Sequence, residues 1–149
     1  MRWGFWGLAA LALLLLAFGA WVRLAPTDPD RWHRMPDGVT NRDVEGGAMR
    51  VVGAGGDAPL RRLDAIIRDT PRTRVLAGSV EDGMITYVTR SFLWRFPDYT
   101  TVRRDGPQIE LYGRLRYGRS DLGVNAARLD RWIARYKAQR DAGAGQGGG

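Results

Sequence analysis

The chain has 149 residues and a formal net charge of +7, carried almost entirely by arginine, since Lys137 is its one lysine. It has no cysteine, which excludes disulfides, thiolate catalysis and sulfur-ligated metals. Its single histidine, His33, excludes a histidine-based triad or a histidine-rich metal site in the folded domain. We therefore expect no covalent nucleophile, no metal and no cofactor, and we assign no catalytic residue. The usual nucleic-acid-binding signatures are absent, so nucleic acid is not an expected partner.

The N-terminus has the features of a membrane anchor. Residues 3–22 carry no charge, and they would span about 30 Å as a helix, the thickness of the hydrocarbon core. Tryptophans near both ends match the interfacial aromatic belt. The sequence predicts an uncleaved transmembrane anchor over residues 1–24. A signal peptide cleaved after Gly19 is the alternative.

The orientation of this anchor rests on two opposing signals. Basic residues after the span, Arg23, Arg31 and Arg34, favour a cytoplasmic domain. A tail of only two residues before the span is typical of a signal-anchor that exports the rest of the chain. We expect a single-pass protein of the inner (cytoplasmic) membrane with its domain on the periplasmic side. The lipid bilayer is then its first partner.

Residues 25–47 are predicted to be a juxtamembrane linker. Pro26, Pro29 and Pro36 oppose regular helix in this stretch. Trp32 lies within it, and an aromatic residue so close to the span is expected at the membrane interface.

Residues 48–140 are predicted to form one α+β domain, a mostly antiparallel sheet with two packed helices. Antiparallel pairing follows because the turns at Asp82-Gly83 and Asp105-Gly106 are too short for crossovers. Residues 141–149 are predicted to be a disordered Gly-rich tail. The expected strands are Met49–Val52, Thr73–Val80, Met84–Leu93, Tyr99–Arg104 and Gln108–Tyr117, and the expected helices are Ala58–Asp69, capped by Asp57, and Asn125–Gln139, capped by Asn125.

The last predicted strand has the clearest alternation in the chain. Ile109, Leu111 and Leu115 point to one face, so Arg114 and Arg116 point together to the other, which is expected to be wet. Two positions along a strand are about 6.6 Å apart, so both guanidinium groups can reach one carboxylate or phosphate. With Arg119 at the strand end, and Arg90 if the sheet order brings it alongside, they are expected to form the rim of a binding site.

The segment from Arg116 to Asn125 has two interpretations. As a strand end, a turn and a helix start, it exposes backbone N–H groups beside arginines and suits an anion. Alternatively, Ser120, Asp121 and Asn125 satisfy the backbone of the turn while Arg119 is solvated. These three residues are candidate binding residues under the first interpretation and structural residues under the second.

The chain resembles the bacterial family known as domain of unknown function 1499. The resemblance is carried by Arg116, Gly118, the run Ser120-Asp121-Leu122-Gly123 and Asn125, with weaker similarity at Phe96-Pro97-Asp98. It covers about residues 49–136. Tyr112, Gly113 and Leu115 depart from the family, which often has an arginine and serines there. The resemblance implies no activity, but its relatives are often exported or membrane-attached.

Three functional hypotheses fit this sequence. The first is a non-enzymatic, membrane-tethered module of the cell envelope that binds an anionic ligand or a partner membrane protein. The second is a small envelope hydrolase that uses Asp121 or Asp98, which would require a convergent pair of perturbed carboxylates in a pocket. The third is a purely structural accessory of a membrane complex, which would expose a large apolar patch.

Overall fold

The computed structural model describes residues 2–56, 58–92 and 95–146. The predicted fold class is confirmed: an apolar N-terminal helix precedes an antiparallel sheet with two packed helices. The elements are α1 Arg2–Leu24, α2 Pro29–Trp32, β1 Arg42–Val44, β2 Gly47–Gly53, α3 Pro59–Arg68, β3 Thr73–Ser79, β4 Met84–Arg90, β5 Pro97–Asp105, β6 Gln108–Leu115 and α4 Val124–Gln146.

Helix α1 is long and apolar enough to cross a membrane. Its stretch from Trp3 to Leu24 has a mean hydropathy of 2.2, and almost all of it lies outside the protein interior. A signal sequence would have the same length and composition.

The six strands form one sheet in the order β1-β2-β6-β5-β4-β3, and all five pairings are antiparallel. The short turns after Ser79 and Asp105 join β3 to β4 and β5 to β6, as predicted. Strand β1 was not predicted, because three residues inside a Pro-rich and Gly-rich stretch carry no periodic signal.

Helices α3 and α4 cover one face of the sheet. The apolar stripe of α3 is buried as its helical spacing predicts, with Leu63 and Ile67 fully enclosed. Leu129 and Tyr136 of α4 enter the same core, which also contains Leu111 of β6. Each such side chain contributes about 1.5–3 kcal/mol on burial, so this layer is the main source of stability.

Residues 25–41, here the connecting segment, lie against the other face. Trp32 is 9% exposed and stacks on Tyr99 of β5 instead of resting at a membrane interface. The next residue, His33, forms a hydrogen bond of 2.9 Å between its Nδ1 and Oγ1 of Thr86. The face that the alternation predicted to be wet is therefore largely covered. Burying the indole ring against an aromatic partner removes more apolar surface from water than an interfacial position does.

The boundaries of α4 differ from those predicted. The helix begins at Val124, so Asn125 lies in its first turn and is not the N-cap. It also continues to Gln146, beyond the predicted end at Gln139, because extending a nucleated helix adds one backbone hydrogen bond per residue at little cost. Residues 147–149 lie outside the described residues. So do Asp57, the predicted cap of α3, and Leu93, the predicted end of β4.

Candidate functional site

Arg114 lies on β6, which ends at Leu115 and not at the predicted Tyr117, so Arg116 directly follows the strand. Both arginines bind the connecting segment. Arg114 donates through Nη2 to the carbonyl oxygen of Trp32. Arg116 donates through Nη2 to the carbonyl oxygen of Pro26 at 2.8 Å and through Nη1 to Thr27 Oγ1 at 3.2 Å. The two arginines thus hold residues 26–32 on the sheet.

The Arg114 guanidinium lies between aromatic rings. Its central carbon is 5.4 Å from the ring centroid of Trp32 and 4.5 Å from that of Tyr112. Burial lowers the pKa of Arg114, while Tyr112 acts in the opposite direction. The rings of Trp32 and Tyr112 and the carbonyl oxygen of Trp32 compensate the charge of Arg114. Among the described residues, no carboxylate pairs with this guanidinium.

Arg119 and Ser120 lie apart from these two arginines. The Arg119 side chain is 94% exposed and approaches Glu45 at 3.5 Å, a surface pair of little energetic value. Ser120 Oγ accepts a 3.3 Å hydrogen bond from the N–H of Leu122 within the turn. The predicted rim is therefore divided between a covered face and an exposed loop.

Asp121 and Asn125 organise the start of α4. Asp121 accepts the N–H of Gly123 at 3.1 Å and the N–H of Asn125 at 2.8 Å. Burial would raise the pKa of Asp121, but these N–H donors outweigh it, so the pKa lies below its usual value. Asn125 is fully buried, and its Oδ1 accepts from Arg128 at 2.8 Å. A Cβ on Gly113 would lie 3.2 Å from that same Oδ1. The motif from Ser120 to Asn125 therefore packs the start of α4 tightly against β6.

Asp98 forms a mostly buried ion pair with Arg128 at 3.0 Å, their side chains being 15% and 9% exposed. Burial raises the pKa of Asp98, and the charge of Asp121 adds to this, while Arg128 opposes it. Asp98 and Asp121 face different cavities, however. They do not converge on one pocket.

Two clefts of about 540 Å³ each adjoin the β3–β4 edge of the sheet, and both are rich in arginine. One, the anchor cleft, lies beside the end of α1. The other, the helix cleft, lies between the same edge and α4. The anchor cleft is lined by Arg23, Arg72, Thr73, Arg74, Val88, Arg90 and Arg95. The arginines of the helix cleft are Arg72, Arg90, Arg128, Arg131 and Arg135.

Carboxylates neutralise only part of this charge. In the helix cleft Arg128 pairs with Asp98, and Arg135 pairs with Asp69 at 2.8 Å. Arg72 and Arg90, which line both clefts, donate instead to backbone: Arg72 Nε to the carbonyl of Arg90, and Arg90 Nη1 to the carbonyl of Arg95, each at 3.1 Å. The lining of the anchor cleft includes no acidic residue among those that the structure describes.

Arg90 is the one residue of the predicted site that belongs to these clefts. Asp98, considered for the hydrolase alternative, also lines the helix cleft. The other arginines were missed, because they come from α1, the start of β3, the loop after β4 and the middle of α4. The excess of arginine over acidic residues in the composition was the available signal.

The fold and the helix-start motif together define a small α+β domain that follows an apolar helix. The chain belongs to the family described as Protein of unknown function (DUF1499), whose model matches residues 25–135. The match confirms the resemblance and begins earlier than the sequence motifs indicated, so it includes the connecting segment. Neither the curated proteins nor the solved structures contain a match to the chain.

Proposed function

We propose that this protein is a single-pass, membrane-anchored, non-enzymatic module of the cell envelope that binds an anionic ligand at its arginine-lined clefts. The observation that carries the proposal is the position of Arg72 and Arg90. Both line the two adjoining clefts, and neither has a carboxylate partner among the described residues.

The physical basis is the repulsion among like charges in a shared cleft. An oxyanion that enters between several guanidinium groups relieves that repulsion and accepts charge-assisted hydrogen bonds, often two in parallel from one arginine. Arg72 uses Nε for the carbonyl of Arg90, which leaves its two terminal nitrogens for a ligand. Asp69 and Asp98 are already paired, so they compete little for these arginines.

The apolar helix supports membrane anchorage. We place α1 in the inner membrane, with the domain on the periplasmic side. The length of the charge-free run supports a membrane span.

The hydrolase alternative has less support. The raised pKa of Asp98 favours it, since catalytic acids are often tuned in this direction by burial. Yet Asp98 is paired with Arg128, and both Asp121 oxygens accept backbone N–H groups from the start of α4. The two carboxylates are therefore not arranged as a pair that could activate one water molecule together.

The structural-accessory alternative calls for a broad exposed apolar patch. Outside α1, the described part of the domain exposes the large apolar side chains of Phe92, Leu122 and Val124. Three side chains form a smaller apolar surface than protein-protein interfaces use. A partner membrane protein remains an alternative occupant of the clefts.

A titration of the full chain with inorganic pyrophosphate tests the proposal. The protein is kept in dodecyl maltoside at low ionic strength, and binding heat is measured for the wild type and for Arg72→Gln/Arg90→Gln. We expect the double variant to bind at least about tenfold more weakly, because each charge-assisted hydrogen bond contributes about 1.5–3 kcal/mol.

The matched control is Arg42→Gln/Arg104→Gln, which removes the same charge from exposed positions away from the clefts. Equal weakening in both variants would mean general attraction to a basic protein and would contradict the proposal. Orthophosphate is assayed in the same samples. Its release by the wild type alone would favour the hydrolase.

A further inference from the structure

The end of α1 packs directly on the domain. The ring centroids of Phe18 and Phe96 are 6.1 Å apart, and those of Trp21 and Tyr117 are 5.7 Å apart. Val22, next to Trp21 on the helix, is 1% exposed. Phe18 lies less than two turns before the helix end, so the Phe96 contact is about 9 Å from that end. If α1 spans the bilayer, Phe96 and Tyr117 reach headgroup depth or deeper.

Further exposed apolar side chains belong to the two loops that carry Phe96 and Tyr117. Phe92 is 80% exposed and precedes Phe96, and Leu122 is 93% exposed and follows Tyr117. Val124, close by along the chain, lines the helix cleft together with Phe92. Aromatic and apolar side chains exposed at this depth suit the interfacial region of a bilayer better than water.

The anchor cleft lies at the same level. Arg23 is the last residue but one of α1, and it lines this cleft with Arg72, Arg74, Arg90 and Arg95. Basic groups at the membrane surface attract anionic lipids, by about a factor of five in affinity for each Lys or Arg. Buried Val88 adds an apolar contact to the cleft wall.

We propose that the anchor cleft binds the phosphate group of an anionic membrane phospholipid whose acyl chains lie beside α1. This inference rests on the proposed function and names its ligand class. The arginines of the anchor cleft require a ligand that carries a negatively charged phosphate ester. The depth of the Phe96 contact and the place of Arg23 at the helix end favour a lipid over a free phosphate ester as its source.

Lipid retention by the full chain tests this inference. Protein in dodecyl maltoside is mixed with dioleoylphosphatidylglycerol, with dioleoylphosphatidylcholine or with glycerol 3-phosphate, and bound molecules are counted by native mass spectrometry. We expect the anionic lipid to be retained in preference to both others. The variant Arg23→Gln/Arg74→Gln/Arg95→Gln is expected to retain it about a hundredfold more weakly.

The control variant Arg42→Gln/Arg61→Gln/Arg104→Gln removes equal charge elsewhere and is expected to behave like the wild type. If the variant Arg23→Gln/Arg74→Gln/Arg95→Gln fails to fold, the single variant Arg74→Gln replaces it in the retention assay. Its side chain is exposed, and its loss is expected to weaken retention about fivefold.

Three results would overturn the inference. Equal retention of the two lipids, or equal loss in the control variant, would show that the cleft does not select an anionic headgroup. Glycerol 3-phosphate bound as tightly as the lipid would identify a free phosphate ester as the ligand. In each case, pyrophosphate binding that still depends on Arg72 and Arg90 leaves the proposed function standing, whereas loss of both responses contradicts both.

Discussion

Trp32 stacks on Tyr99, with ring centroids 3.9 Å apart and 19° between the ring planes. Tyr99 is fully buried beneath the indole, and its hydroxyl lies 3.0 Å from Thr27 Oγ1. The connecting segment is therefore an integral layer of the domain, in agreement with a family match that starts at residue 25. It also brings the end of α1 directly to the sheet, which positions Arg23 at the anchor cleft.

Trp32→Ala should destabilise the domain by about 3 kcal/mol, because truncating a buried aromatic side chain leaves a cavity as well as lost apolar contact. Urea unfolding followed by circular dichroism measures the change. Trp3→Ala, at a 92% exposed position, is the control and should leave the midpoint unchanged. An equally small effect of both substitutions would contradict the packed position of the segment.

Arg114→Gln should lower the melting temperature, since it removes a charged donor from the Trp32 carbonyl oxygen and a cation from the Trp32 ring. The expected loss of stability is about 1.5–3 kcal/mol. Exposed Arg119→Gln should leave the melting temperature unaltered. The alternation of β6 alone suggested the reverse, a binding role with little effect on stability. Unchanged melting with lost pyrophosphate binding in Arg114→Gln would support that binding role.

Asp121→Ala should cost about 1 kcal/mol at neutral pH, as expected for loss of a helix-capping side chain. The folded-state pKa of Asp121 is lowered, so its charge stabilises the fold at any pH above the pKa that this carboxyl has in the unfolded chain. That contribution is lost as the pH falls through the lower folded-state pKa. Unfolding curves of both proteins from pH 7 to pH 2.5 should therefore converge at acidic pH. A constant difference would show that the charge of Asp121 is not involved.

Local sequence signals account for much of the fold. The helical spacing in α3 and the alternation at Ile109 and Leu111 of β6 predicted which side chains enter the core, because each signal depends on near neighbours in the chain. The same alternation was wrong for Leu115, which is only half-buried, and for Glu110, which is buried. The covered second face was not predictable in this way. The partners of Trp32 lie on β5 and β6, far along the chain, and no periodicity within residues 25–41 points to them.

The candidate site likewise has features that near neighbours in the sequence reveal and features that only tertiary packing creates. The motif from Ser120 to Asn125 was recognisable because its residues are consecutive, and its hydrogen bonds are consistent with the structural interpretation. The clefts combine arginines from four separate parts of the chain, so only tertiary packing brings them together. The pair of Asp98 with Arg128 is likewise a contact between β5 and α4 that no spacing rule indicates.

Membrane anchorage predicts that the mature protein keeps residues 3–22. It should remain with membranes after a carbonate wash, because a charge-free helix of this length can span the hydrocarbon core and keep its apolar side chains out of water. N-terminal sequencing of the recovered protein checks the cleavage state. A soluble form that begins near Ala20 would identify a signal peptide and would contradict the anchor.

The location of a bound oxyanion shows whether the arginine-lined clefts are the binding site. Crystals of the full chain soaked in sodium tungstate would reveal the anion by its anomalous scattering. We expect a tungstate peak within hydrogen-bonding distance of the Arg72 or Arg90 guanidinium, and no such peak in crystals of Arg72→Gln/Arg90→Gln. Peaks confined to other arginines, such as Arg42 or Arg119, or peaks that persist in the double variant, would contradict the proposed binding at these clefts.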